Sequence, residues 1–71
     1  MAIKAINARN QFRGRIKEII FGDVVSEVDI ETPSGTVTAT ITTRSINELG
    51  LQHGSKVLAV FKATEVAVAK L

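Results

Sequence analysis

Alternating apolar and polar residues, a high density of β-branched side chains and a helix-like period confined to one stretch predict a mostly β fold. That fold has five short strands, with one short helix between the third and the fourth. The first strand spans Gln11 to Phe21, where Arg13, Arg15 and Lys17 alternate with Phe12, Gly14 and Ile16. Gly22-Asp23 is a turn signal, and the second strand follows from Val24 to Thr32. Ser26, Val28 and Ile30 face one way there, and Glu27, Asp29 and Glu31 the other. Pro33-Ser34-Gly35 makes a hairpin turn, because proline presets φ and glycine relieves the turn sterically. Thr36 to Thr42 is the third strand, with Val37, Ala39 and Ile41 set against threonines.

The period then changes. Ser45 to Leu49 suits a short helix, Thr42 or Thr43 is placed to cap its first turn, and Gly50 is placed to end it. Leu51-Gln52-His53-Gly54 reads as a turn, Val57 to Phe61 as the fourth strand, and Lys62-Ala63-Thr64 as a tight connection. Glu65 to Ala69 reads as the fifth strand. This order of elements is that of an OB-like five-stranded barrel, with an SH3-like barrel as the competing arrangement.

A length of 71 residues sets one domain, spanning 1–71. A chain of this size buries only about 60% of its unfolded surface, and small domains usually need reinforcement. With no cysteine and a single histidine, His53, neither disulfides nor a zinc site can supply it. Association with other chains is the remaining stabiliser, which a hydrophobic content of 45% favours. No signal-peptide core and no apolar run near the roughly 18 residues that span a bilayer is present, so the expectation is a cytoplasmic protein without a membrane partner.

Composition also argues against catalysis. There is no thiol nucleophile, and His53 sits in a glycine-flanked turn with no carboxylate close in sequence. The acids Glu27, Asp29 and Glu31 share one strand face, as solvated residues do. No phosphate loop and no metal-ligand cluster is present, so no side chain is expected to ligate a metal directly. A nucleic-acid-binding module using Arg13, Arg15 and Lys17 is the alternative. However, a net charge of +2 and the absence of Trp and Tyr favour an ordinary polar strand face, with Phe12, Phe21 and Phe61 at candidate core positions.

Three segments offer hydrogen-bond donors and no carboxylate: Asn7 to Gln11, Thr42 to Ser45, and Lys62 to Thr64. Donors at a helix start and cations in tight turns are compatible with a small anion site. Caps and solvated turns use the same residues.

The same segments carry a family resemblance. Asn7-Ala8-Arg9-Asn10-Gln11-Phe12-Arg13-Gly14 resembles the opening of molbindin (Mop) domains, commonly Ser-Ala-Arg-Asn followed by a glycine four residues later. Thr40-Ile41-Thr42-Thr43-Arg44-Ser45 with Leu49-Gly50-Leu51 and Gly54 resembles the middle of that domain. Val60-Phe61-Lys62-Ala63-Thr64-Glu65-Val66 resembles its close. Related domains occur in molybdate-responsive regulators and, as TOBE domains, in transporter ATPases.

The resemblance implies non-catalytic binding and storage of molybdate or tungstate, or a module that senses molybdate for a partner. It also implies a homo-oligomer, a hexamer built as a trimer of dimers, with oxyanion sites at subunit interfaces. Arg9, Lys62 and Ala63 would come from one subunit and Thr42 and Ser45 from its neighbour. Asn7 occupies a position that is commonly serine, where the hydroxyl and backbone contact the anion. Asn7 can still donate through its amide, but it is bulkier and brings an acceptor oxygen as well. Both ligands are unprotonated dianions at neutral pH, so a donor-only site suits them and leaves the proton of phosphate unmatched.

Overall fold

A computed structural model describes residues 7–71 of the chain. Strands β1 (Asn10–Ile20), β2 (Val25–Thr32) and β3 (Gly35–Thr42) lead into helix α1 (Thr43–Leu49), strand β4 (Lys56–Phe61) and a 3-10 turn at Ala63–Glu65. The strands form one antiparallel sheet in the order β3-β2-β1-β4.

The sheet curls because β1 serves two ladders. Its first half, Asn10 to Arg15, pairs with β4, and its second half, Arg15 to Ile20, pairs with β2. Gly14 stands at the corner where the strand changes partner. A Cβ built there would lie 2.5 Å from the Glu31 carbonyl oxygen and 2.7 Å from Ile30 Cγ2, so only glycine lets the backbones approach this closely. A bulge between Ile16 and Glu18 adds to the bend.

The concave side holds the core. Ile16, Val28, Ile30, Ile46 and Ala59 are buried together, with Ile19, Val37, Ile41, Leu51 and Val57 packed around them. Ile16, Val28, Ile30, Val37 and Ile41 are apolar members of the alternations expected from sequence, while Ile19, with the parity of Arg13 and Arg15, reaches the core past the bulge. Helix α1 reaches the core through Ile46, its only buried residue. Thr42 caps the helix, its Oγ1 accepting from Ser45 N at 3.1 Å, and Gly50 closes it in the left-handed region at φ 63°. Truncation of Ile46 to alanine is expected to cost about 2–5 kcal/mol, read as a lower urea midpoint. An unchanged midpoint would mean that the helix is held by something other than this contact.

A hydroxyl network centred on the buried Ser26 fastens the β1–β2 connection to the helix start. Thr43 Oγ1 donates to the Gly22 carbonyl at 2.7 Å, which uses its only proton. Ser26 therefore donates to Thr43 Oγ1 across 2.6 Å, and Ser26 Oγ accepts from Gly22 N at 3.1 Å. A polar Ser26 on the apolar face of β2 is thus fully satisfied, at 3% exposure.

Two expectations from sequence are corrected. The fifth strand at Glu65 to Ala69 does not form: Ala63–Glu65 is a 3-10 turn, and residues 66–71 pair with no strand among the described residues. Its alternation is a sound strand pattern, but a strand needs a ladder partner, and here Val68 is 92% exposed and Leu71 fully so. The phenylalanines are not core residues either. Phe21 and Phe12 are exposed, while Phe12 and Phe61 pack on each other with ring centroids 5.7 Å apart and planes tilted by 32°. Four strands give a half-barrel whose apolar lip these rings occupy. Among the described residues no helix is long and apolar enough to cross a membrane.

Candidate oxyanion-binding site

The β1/β4 ladder ends at the pair Asn10 and Phe61, which places Arg9 and Lys62 side by side just beyond the last rung. Adjacent strands lie roughly 4.8 Å apart, so two cations that are 53 positions apart in sequence become neighbours through register alone. Both are exposed. The only ion pair among the described residues, Lys17 with Glu31 at 3.9 Å, involves neither of them.

Local contacts hold the two segments in place. Ala8 is buried and anchors the turn before β1, leaving Asn7 and Arg9 outside. Gln11 Nε2 donates to the Ala8 carbonyl at 2.8 Å and so pins that turn to the start of the strand. On the other side the 3-10 turn closes through Glu65 N donating to the Lys62 carbonyl at 2.9 Å, with Ala63 exposed at its first position. Gln11 was legible only as part of the polar opening. Its spacing of three from Ala8 is the signal that points to a side chain folded back on its own turn.

Thr42 and Ser45 form the other half of the predicted set. Their hydroxyl oxygens lie 2.7 Å apart, and Ser45 N also donates to Thr42 Oγ1. Whichever hydroxyl donates across this contact, the other keeps a proton with no partner among the described residues. The pair therefore offers an anion one hydroxyl proton while apart from ligand, where the sequence suggested two.

The structure brings Asn7, Arg9, Lys62 and Ala63 to one end of β1, and it does not bring Thr42 and Ser45 there. Thr42 pairs with Val25, beside the far end of β1, where Ile20 pairs with Glu27. An extended strand of eleven residues measures on the order of 35 Å, less the bend at Gly14.

The stripe of Arg13, Arg15 and Lys17 lies exposed on the outer face. By strand alternation Phe12 and Phe61 face the other side, so the stripe has no aromatic stacking platform beside it among the described residues.

The TOBE domain model matches residues 6–68, nearly the whole chain. The chain belongs to the TOBE family, as a domain of the Mop type. It is 38% identical over 65 residues to molybdenum-pterin-binding protein 3 of Clostridium pasteurianum, spanning 90% of this chain and 96% of the relative. Among solved structures it is similar to a molybdate-binding protein from Sporomusa ovata, with a TM-score of 0.89 and 36% identity over 93% of this chain and 98% of the other. MopII from Clostridium pasteurianum gives a TM-score of 0.87 at 36% identity, covering 93% and 100% of the two chains. The half-barrel with one short helix is therefore the Mop fold, and these relatives are binding proteins in name.

Proposed function

We propose that this Mop domain binds molybdate, or its heavier congener tungstate, reversibly and without catalysis, as a store or buffer in the cytoplasm. The observation that carries the proposal is the convergence of Arg9 and Lys62 at the end of the β1/β4 ladder, with no carboxylate paired to either among the described residues. Two adjacent cations free of acidic partners repel one another, and a dianion between them reverses the sign of that interaction. Relatives described as molybdenum-pterin-binding and molybdate-binding support the choice of ligand.

The site is shared between chains. Arg9, Lys62 and Ala63, with Asn7, form one half, and the Thr42–Ser45 hydroxyl pair of a neighbouring chain forms the other. One chain keeps these halves at opposite ends of β1, so a second copy supplies what the first cannot. Association also answers the exposed apolar surface: Phe12, Val60, Val66, Val68 and Leu71 lie uncovered in the single chain. In the assembly, residues 65–69 find the ladder partner they lack and complete a five-stranded, OB-like barrel. The hexamer, a trimer of dimers, is the assembly that the resemblance implies.

Calorimetric titration of the assembled protein with molybdate, tungstate, sulfate and phosphate tests the reading. Heat is expected with the first two and little with phosphate, whose proton meets only donors. Silence with both molybdate and tungstate would overturn it. Light scattering in the same buffer is expected to give a mass several times that of one chain, and a monomeric mass would remove the shared site.

A further inference from the structure

A second cationic locus lies at the opposite end of the β1/β4 ladder. Arg15 stands directly across from Lys56 on β4 and from Glu31 on β2, and Arg13 follows on the same face. Directly opposed residues have Cβ atoms roughly 5 Å apart, and like charges so placed destabilise a sheet. The nearby carboxylate of Glu31 offsets this pair only in part: its ion pair is with Lys17 at 3.9 Å, and among the described residues it makes none with Arg15 or Lys56. Arg15 Nη1 instead donates to the Gly54 carbonyl at 3.3 Å. Arg13, Arg15 and Lys56 border an open groove of about 500 Å³, in which Glu31 is the one carboxylate and Gly14, Thr32, Pro33 and Val57 complete the lining. These three cations outnumber the groove's single carboxylate, Glu31, by three to one.

We propose that this groove binds a chain of linked phosphates, with Arg13, Arg15 and Lys56 as its cationic contacts. The charges are spread along two strands, and side chains two apart on a strand start roughly 7 Å from one another. A single tetrahedral ion meets such a set poorly, whereas a chain of phosphates lays its charges along it. Arginine forks and lysine ammonium groups donate only, which suits phosphate oxygens. Base recognition is not part of the site, because the stacking rings that single-strand binders use are absent from this face among the described residues. The groove uses none of the oxyanion-site residues, so the two loci stand or fall separately.

The test is calorimetry of the assembled protein at low salt with tripolyphosphate, ATP, orthophosphate and a short single-stranded DNA. Tripolyphosphate is expected to bind more tightly than orthophosphate and to weaken as salt rises. The double variant R13Q/K56Q is expected to lose at least about tenfold in affinity, the scale of one charge-assisted hydrogen bond. R44Q/K70Q, with the same change in charge elsewhere on the surface, is expected to bind as the parent does, and so is R9A. An ATP response equal to that of tripolyphosphate supports a nucleotide's phosphate chain as a source, and a response to tripolyphosphate alone supports inorganic chains. Equal losses in R13Q/K56Q and R44Q/K70Q would reduce the effect to net charge and overturn the proposal. Binding lost in R9A would move it to the oxyanion site. Binding of the DNA alone, or no binding at all, would also overturn it.

Discussion

The double variant Arg9→Ala/Lys62→Ala is expected to lose molybdate binding by roughly 100-fold to 10,000-fold while keeping its fold and its assembly. Each side chain would contribute one charge-assisted hydrogen bond to a dianion, about 1.5–3 kcal/mol apiece, and each 1.4 kcal/mol is a factor of ten. The fold is expected to survive because both side chains are exposed and contribute no core contact. The neighbouring Asn10–Phe61 rung and the 3-10 turn are built from backbone that alanine preserves. Titration calorimetry reads the affinity, and light scattering with circular dichroism reads assembly and fold. Single variants place each cation: an Arg9→Ala protein with parental affinity would remove Arg9 from the site, and likewise for Lys62. Loss of binding accompanied by dissociation would assign these residues to the interface rather than to the anion.

Gly14→Ala is expected to be strongly destabilising for a single-methyl change, costing about 3 kcal/mol, at the upper end of what overpacking produces. The added Cβ would fall 2.5 Å from the Glu31 carbonyl oxygen and 2.7 Å from Ile30 Cγ2. The first of these atoms is ladder backbone between β1 and β2, and the second belongs to a buried core side chain, so neither has room to retreat. A domain of 71 residues has a stability of roughly 4–11 kcal/mol, so this one methyl would remove a large share. Denaturation should be compared with Gly50→Ala at matched protein concentration, since association alters apparent stability. At Gly50 nothing surrounds the new methyl, and the cost is only that of a left-handed φ of 63°, about 1 kcal/mol. A Gly14→Ala protein as stable as the parent would mean that β1 can leave β2 without the close approach.

Turns, caps and strand faces were legible in the sequence because each depends on residues within a few positions of one another. Pro33-Ser34-Gly35 turns as expected, and Thr32 supports it locally, its Oγ1 donating to the Gly35 carbonyl and accepting from Ser34 N. Thr42, one of two candidate caps, takes the capping role, while Thr43 is committed to Gly22 and the buried Ser26. That choice is tertiary: it depends on a loop 21 residues away in sequence. Lys56, too, drew no attention in sequence, since a lysine at a strand start is usually solvated. Its meaning comes from standing opposite Arg15.

The sequence by itself determined that this is a mostly β chain with one short helix, which faces of β2 and β3 turn to the core, and which segments are rich in donors. Those properties follow from period, branching and residue chemistry, which act locally. Only the tertiary structure decided that Arg9 meets Lys62, that Arg15 faces Lys56, and that Gly14 is the corner of the sheet, because strand order and register bring together residues that no local rule relates. It also decided the fate of residues 66–71. Their alternation is a real strand pattern, but a strand exists only where another edge accepts its hydrogen bonds, and among the described residues of a single copy they pair with none.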